Sequence, residues 1–386
     1  MRILTLIAFT CAFLSLSGCR YDGDAASGGV DPNSDFAFLR SSAFQMSAPS
    51  GVSGATAATI GFFSPGDLYP DVLVHTSSAG MVYYANTEGE GFSAGVKVTA
   101  SFQNHSASAL YGTNTIATAD VSTGTLRILK QANGAFTQTA GYELSGSPVA
   151  SLAVAGNFIF AMTNPGVSYF TKFLPSDYDS AITAAPEFSA ISGRARSGDL
   201  NADAFPEIVV FGGPGSVQPR IYRGSATAVP ALVGGTPIAR VATSDVNDFA
   251  MAKFSSASKP DLIVLSDSGV EFYSNQSDAG SFSFVLNSGV SVTATGSKIL
   301  AADFFNQDGK VDLFVSRASD TARIYKQTAS GTSFEDVTTQ VFEPSALGSG
   351  PTEIYTADVN ADGYVDILEL YPNASVRVYI NNRKSL

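Results

Sequence analysis

Residues 356–370 read TADVNADGYVDILEL. Oxygen-bearing side chains stand at Asp358, Asn360, Asp362 and Asp366, which are places 1, 3, 5 and 9 counted from Asp358, and Gly363 fills place 6. Carboxylates this close repel one another unless something holds them together. Alternate oxygens converging through a sharp turn that glycine permits are what a hard divalent cation needs, and the backbone carbonyl of Tyr364 at place 7 adds a further oxygen. An all-oxygen set predicts Ca2+ over a transition metal. The alternative is an Asx-rich turn that hydrogen-bonds its own backbone. The DILEL that follows is apolar and of strand length, so the loop leads into a buried strand.

The pattern recurs upstream. ADFFNQDGKVDLFVS (302–316) carries Asp303, Asn306, Asp308 and Asp312, with Gly309, one residue inserted after the first Asp, and Lys310 supplying the backbone carbonyl. GDLNADAFPEIVVFG (198–212) carries Asp199, Asn201, Asp203 and Glu207, with Ala204 in the glycine place. Two weaker copies, SASKPDLIVLS (256–266) and GDLYPDVLVHT (66–76), keep only the closing acid and the apolar run. Lys253 opens the first of these and Phe63 the second; neither can ligate a cation, so both loops are expected to be metal-free. A turn and an alternating strand follow each run, as in GMVYYAN, GVEFYSN, TARIYKQ and SVRVYIN.

Anchored on the acid or its equivalent, the copies fall at Asp71, Thr115, Asn157, Glu207, Asp261, Asp312 and Asp366, spaced 42 to 54 residues apart. Phe-containing strands follow several of them, in GEGFSAG, NGAFTQT, AGSFSFV and GTSFEDV. Short strands, about four to a unit, repeated at 40–55 residues predict an all-β chain: a seven-bladed β-propeller of four-stranded antiparallel blades. The last unit lacks the Phe-containing outer strand, whereas SDFAFLRSSAF (34–44) resembles one and precedes the first unit. Phe36 to Phe44 is therefore expected to pair antiparallel with Val376 to Ile380, closing the ring with the N-terminal strand and removing an exposed edge.

These units resemble FG-GAP/VCBS repeats, the blades of the integrin α-chain N-terminal propeller and of many bacterial surface proteins. The resemblance covers everything from residue 36 onward. Its motif is fullest in the last repeat, good in the sixth and fourth, and degraded elsewhere. It implies that each acidic loop joins a blade's innermost strand to the next and binds Ca2+, giving two to three structural sites. It also implies a binding module whose partner, a protein or a glycan, meets one face of the ring.

The N-terminus reads differently. MRILTLIAFTCAFLSLSGC has one basic residue, an apolar run and small residues, which suits a secretory signal over residues 1–18 and is too short for a membrane span. LSGC resembles the bacterial lipobox, in which Cys19 becomes the lipidated first residue. Cys11 and Cys19 are the only cysteines, so a mature chain keeps one, and no disulfide can form within it. Residues 19–35 then form a lipidated cysteine and flexible tether, and 36–386 the propeller. The expected location is the cell envelope, lipid-anchored, at the outer membrane and facing either the periplasm or the surface.

Composition narrows function further. Charged residues are 15%, the net charge is −12 and the pI about 4.6, which disfavours nucleic acid as a partner. GFSAG (91–95) matches the G-x-S-x-G elbow, but that elbow must join a strand to a helix, and Ser93 falls where an outer strand is expected. SASK (256–259) lies inside a degraded loop. His75 and His105 have no metal-ligand spacing. The chain is therefore expected not to be an enzyme but an adhesion or scaffold module. A carbohydrate-binding or polysaccharide-active propeller is the alternative; it would lean on the 15 Tyr, because no Trp is present.

Overall fold

The computed structural model describes residues 36–382 except 64–66, 78–79, 99–104, 112–113, 121–123, 133–134, 145–148, 164–167, 175–176, 186–192, 213–218, 236, 241–244, 256–257, 306–307 and 344–345. The signal segment, Cys19, the tether and Asn306 lie outside the described residues. The described strands form seven four-stranded antiparallel sheets, so the architecture is an all-β propeller of four-stranded blades.

Each blade begins with an inner strand: Ala55–Gly61, His105–Tyr111, Val149–Ala155, Gly193–Gly198, Val246–Ala252, Lys298–Ala302 and Glu353–Ala357. Successive inner strands touch, the fourth blade meets the fifth through its second strand, and Glu353–Ala357 touches Ala55–Gly61. The second strands start at Asp71, Thr115, Phe158, Glu207, Asp261, Asp312 and Asp366. The acid of the repeat is thus the first residue of a strand wherever it occurs.

Second strands such as Asp261–Ser266 and Asp366–Leu370 are buried along their whole length. The pleat explains how. Alternate side chains point to opposite sheet faces, and each face meets a neighbouring blade. In the first blade, Val72 and Val74 pack toward the seventh with Leu368 and Leu370, whereas Leu73 packs toward the second with Ile116 and Leu129. Apolar clusters of this kind lie between each successive pair of blades, the seventh and first included. Each fully buried Val, Leu or Ile contributes roughly 1.5–3 kcal/mol, so the cohesion of the molecule resides between blades.

The N-terminal pairing is shorter than expected. Only Phe38–Leu39 is a strand, with Phe38 opposite Asn381 and Leu39 opposite Ile380. Ser42–Phe44 then turns as a 3-10 helix, which drops Phe44 into the core between the seventh and first blades. The chain rejoins the edge where Met46 bridges Val376 and Gln45 Nε2 donates to the Val378 carbonyl. Burial of Phe44 is worth roughly 1.5–3 kcal/mol, against about 1 kcal/mol net for a hydrogen bond at an edge.

The first blade's outer strand also differs. It is Val96–Val98, beyond GEGFSAG. Phe92 instead bridges Asn86, donates its N–H to the Ala43 carbonyl and packs edge-on against Phe44. Ser93 closes the same turn against Ala85, away from any strand-to-helix elbow. His75 is fully buried in its strand, with Nε2 3.0 Å from Thr59 Oγ1 and Nδ1 3.4 Å from Thr118 Oγ1.

Candidate functional site

The loops after the fourth and seventh inner strands have the same construction. In the seventh, Asp358 accepts the backbone N–H of Asp362 on Oδ1 at 3.0 Å and that of Gly363 on Oδ2 at 2.8 Å. Asp362 Oδ1 accepts the Tyr364 N–H at 2.9 Å, and Asn360 Nδ2 donates to Asp362 Oδ2 at 3.1 Å. In the fourth, Asp199 accepts from Asp203 and Ala204, Asp203 from Phe205, and Asn201 donates to Asp203. The backbone must turn left-handed at place 6 for this: Gly363 has φ 86° and Ala204 φ 69°. An alanine there costs roughly 1–2 kcal/mol.

In the sixth loop Asp303 Oδ2 accepts the Gly309 N–H at 2.8 Å, and Asp303 Oδ1 is buried without a hydrogen-bond partner. Lys310 gives more than a carbonyl: its Nζ lies 3.0 Å from Asp308 Oδ2, and its N–H donates to Asp308 Oδ1. Burial raises the Asp358 and Asp303 carboxyls above the usual range, and the neighbouring Asp362 and Asp308 charges add to it.

A hard cation fits this donor chemistry. An anionic oxygen left unpartnered in a buried place, as at Asp303, needs a positive partner. Among the described residues no three His, Cys, Asp or Glu side chains form a ready cage. In each intact loop an amide oxygen and a backbone carbonyl would make up part of a cation's donor set. Ca2+ bound there would neutralise the crowded carboxylates and cross-link both ends of the turn.

Place 9 does something the sequence reading missed. Asp366 is fully buried, accepting the Val359 N–H on Oδ2 at 2.9 Å and the Asn381 N–H on Oδ1 at 2.8 Å. Glu207 holds Leu200 and Gly224 in the same way, and Asp312 holds Phe304 and Gln327. Asp71 and Asp261 do so in the loops without a cation set: Asp71 holds Asn86, and Asp261 holds Ser255 and Asn275. The acid therefore clamps its loop to the end of the third strand in every blade that carries one. Burial pushes Glu207 and Asp312 up to about 7 and Asp366 well above its usual value.

The clamp is joined by a latch. Asn381 Nδ2 donates to Val365 of its own loop and to the Phe304 carbonyl of the sixth blade. Asn275 reaches Pro260 and, in the fourth blade, Leu200. Asn86 reaches Pro70 and, in the seventh blade, Val359. The signal was present, since these residues end the strings GMVYYAN, GVEFYSN and SVRVYIN. In the fourth blade the place is Gly224, where a Cβ would lie 2.2 Å from the Pro206 carbonyl oxygen.

Of the sequence-predicted residues, Asp358, Asn360, Asp362, Tyr364 and Asp366 share one loop, as do Asp199, Asn201, Asp203 and Glu207. Asp303, Asp308, Lys310 and Asp312 share the third. Phe63 is fully buried against Tyr83 and Phe136, a core residue rather than a ligand.

Blades of this design define a β-propeller of the repeat-loop type. Residues 305–369, from the sixth loop to the seventh blade's second strand, match the family model of the FG-GAP-like repeat. Two solved structures resemble the whole: crystal structures of BBS1N in complex with ARL6DN, one soaked with mercury and one with lead. Their TM-scores are 0.54 and 0.56 and their identities 10% and 11%, each over 91% of this chain and 98% of the other. At such identity the likeness is one of fold. Comparison with curated protein sequences finds no match.

Proposed function

We propose that the protein is a lipid-anchored cell-envelope propeller that binds a partner protein on the end of the ring bearing the acidic loops. Ca2+ would hold two to three of those loops in shape. The observation that carries this reading is Phe205. It is place 7 of the fourth loop: its side chain is 40% exposed, its N–H is fixed by Asp203, and its carbonyl is the one a bound cation would take. Cation binding and presentation of an apolar contact then reside in one residue. Phe62 and Leu68, in the corresponding loop of the first blade, are 44% and 73% exposed. Exposed aromatic and aliphatic tips above a rigid scaffold are what a protein interface uses. The similar BBS1N was crystallised with a partner protein, which supports the same use of the fold.

The reading takes the seven sheets as one ring closed by the N-terminal strand. The Phe38–Leu39 pairing, the apolar cluster between seventh and first blades, and the Asn86 latch to Val359 support it. The anchor rests on LSGC and Cys19. Quantitative pull-down from detergent-solubilised envelope tests the interface. A discrete protein should be enriched on the wild type and lost on a Leu68→Ser/Phe205→Ser variant. Equal capture by both, or binding only on a glycan array, would overturn it.

A further inference from the structure

The inner strands line two adjoining cavities. One, of about 250 Å3, is polar and lined by Thr56, Ser108, Ser151, Glu353 and Tyr355 among others. The other, of about 590 Å3, reaches toward the acidic-loop end, with Gly198, Met251, Pro260 and Ala301 in its lining. Beside the smaller cavity runs a belt of charged side chains from four blades, of which Arg194, Arg196 and Glu353 line it. Arg194 grips Glu353 with both terminal nitrogens at 2.7 and 3.0 Å, and its Nε lies 3.4 Å from Asp248. Lys298 Nζ sits 2.8 Å from Glu353 Oε1, and Arg196 Nη2 3.0 Å from Asp248 Oδ1.

The belt is not balanced. Among the described residues, Arg194, Arg196 and Lys298 pair with Asp248 and Glu353, leaving one positive charge over in a chain whose net charge is −12. The carboxylates are saturated, since Asp248 Oδ2 also takes the Ile299 N–H at 3.0 Å. Arg196 is not. It uses only Nη2, its Nε is buried without a partner, and its guanidinium lies 5.5 Å above the Phe249 ring, 33% exposed. It borders both cavities.

We propose that the larger cavity is a binding site for a small amphipathic carboxylate. Its head would pair with the spare Nη1 of Arg196, and its alkyl chain would lie along the partly exposed Met251 and Ala301. A concave cavity of several hundred Å3, apolar over about half of its surface and carrying one placed charge, can hold a small molecule with an apolar part and a charged head. Guanidinium is suited to carboxylate because its fork matches two oxygens. One uncompensated charge matches a monoanion.

Titration calorimetry on the full chain tests this with octanoate, octylamine and inorganic phosphate. Octanoate should bind one to one, and Arg196→Gln should weaken it roughly ten- to hundredfold, the size of a charge-assisted bond. Met251→Trp, which fills the wall, should weaken it without touching the charge. Asp248 keeps Arg194 and Ile299 when Arg196 is replaced, so Arg196→Gln is expected to fold. Were it not to fold, the wild type alone decides, because octylamine and phosphate should bind far more weakly than octanoate. Equal binding of octanoate and octylamine, phosphate binding as tightly as octanoate, unchanged affinity in the folded variants, or no saturable heat would each overturn the site.

Discussion

At the scale of the residue, two kinds of acid share each loop and should respond differently. Asp261 clamps Ser255 and Asn275 in a loop that opens with Lys253 and lacks a cation set. Asp261→Ala leaves the buried Asn275 N–H unpaired, whereas the exposed Ser255 N–H can turn to water. A loss of roughly 1–3 kcal/mol in urea unfolding is expected, equal in calcium and in chelator. Asp362→Ala, which also loses the Tyr364 and Asn360 hydrogen bonds, should cost more stability in calcium than in chelator, by about 2.7 kcal/mol at a hundredfold excess over Kd, and Lys253→Ala should change neither condition. A calcium-dependent loss in Asp261→Ala would contradict the division.

Acidity supplies a second test at this scale. Burial raises Glu207 from its ordinary 4.5 and Asp312 from 3.8, both to about 7. A carboxyl raised on folding contributes its full stability below the unfolded value and loses it as pH climbs through the folded one. In chelator the melting temperature should therefore fall between pH 5 and pH 8. Saturating Ca2+, which favours ionised carboxylates, should shrink or reverse that fall. A chelated protein that melts higher at pH 8 than at pH 5 would refute this.

At the scale of the element, the decisive segment is the N-terminal strand. Phe38 stacks on Phe342 at 5.1 Å and meets Phe304 and Phe305 edge-on, each at 6.1 Å. Phe38→Ala should cost about 3–5 kcal/mol, and deleting residues 34–46 should broaden the unfolding transition and promote aggregation. A sharp, unshifted transition after the deletion would show that the seventh blade does not depend on it. Much of this level was legible in the sequence, because an acid followed by an apolar run marks the start of a strand buried on both faces. The inner strands were harder to read. Arg194, Arg196, Asp248, Lys298 and Glu353 sit where propensity favours apolar residues, and only the tertiary packing of the blades brings them together. The first outer strand was misplaced because Phe92, which looked like a strand residue, fills a turn against Phe44.

At the scale of the whole molecule, the proposed lipid anchor and the proposed binding face are tested separately. Cys19→Ala should release the protein from the membrane fraction, and intact-mass analysis should find the acyl chains on the wild type; an unmodified mature N-terminus would remove the anchor. The central claim is that the repeat loops hold Ca2+ and so fix the face that carries Phe205. Calcium titration of the chelator-stripped protein by calorimetry tests it most directly. The account predicts saturable binding at two to three ions per chain, with one site lost in Asp362→Ala. Absence of saturable heat, or an unchanged isotherm in that variant, would contradict it.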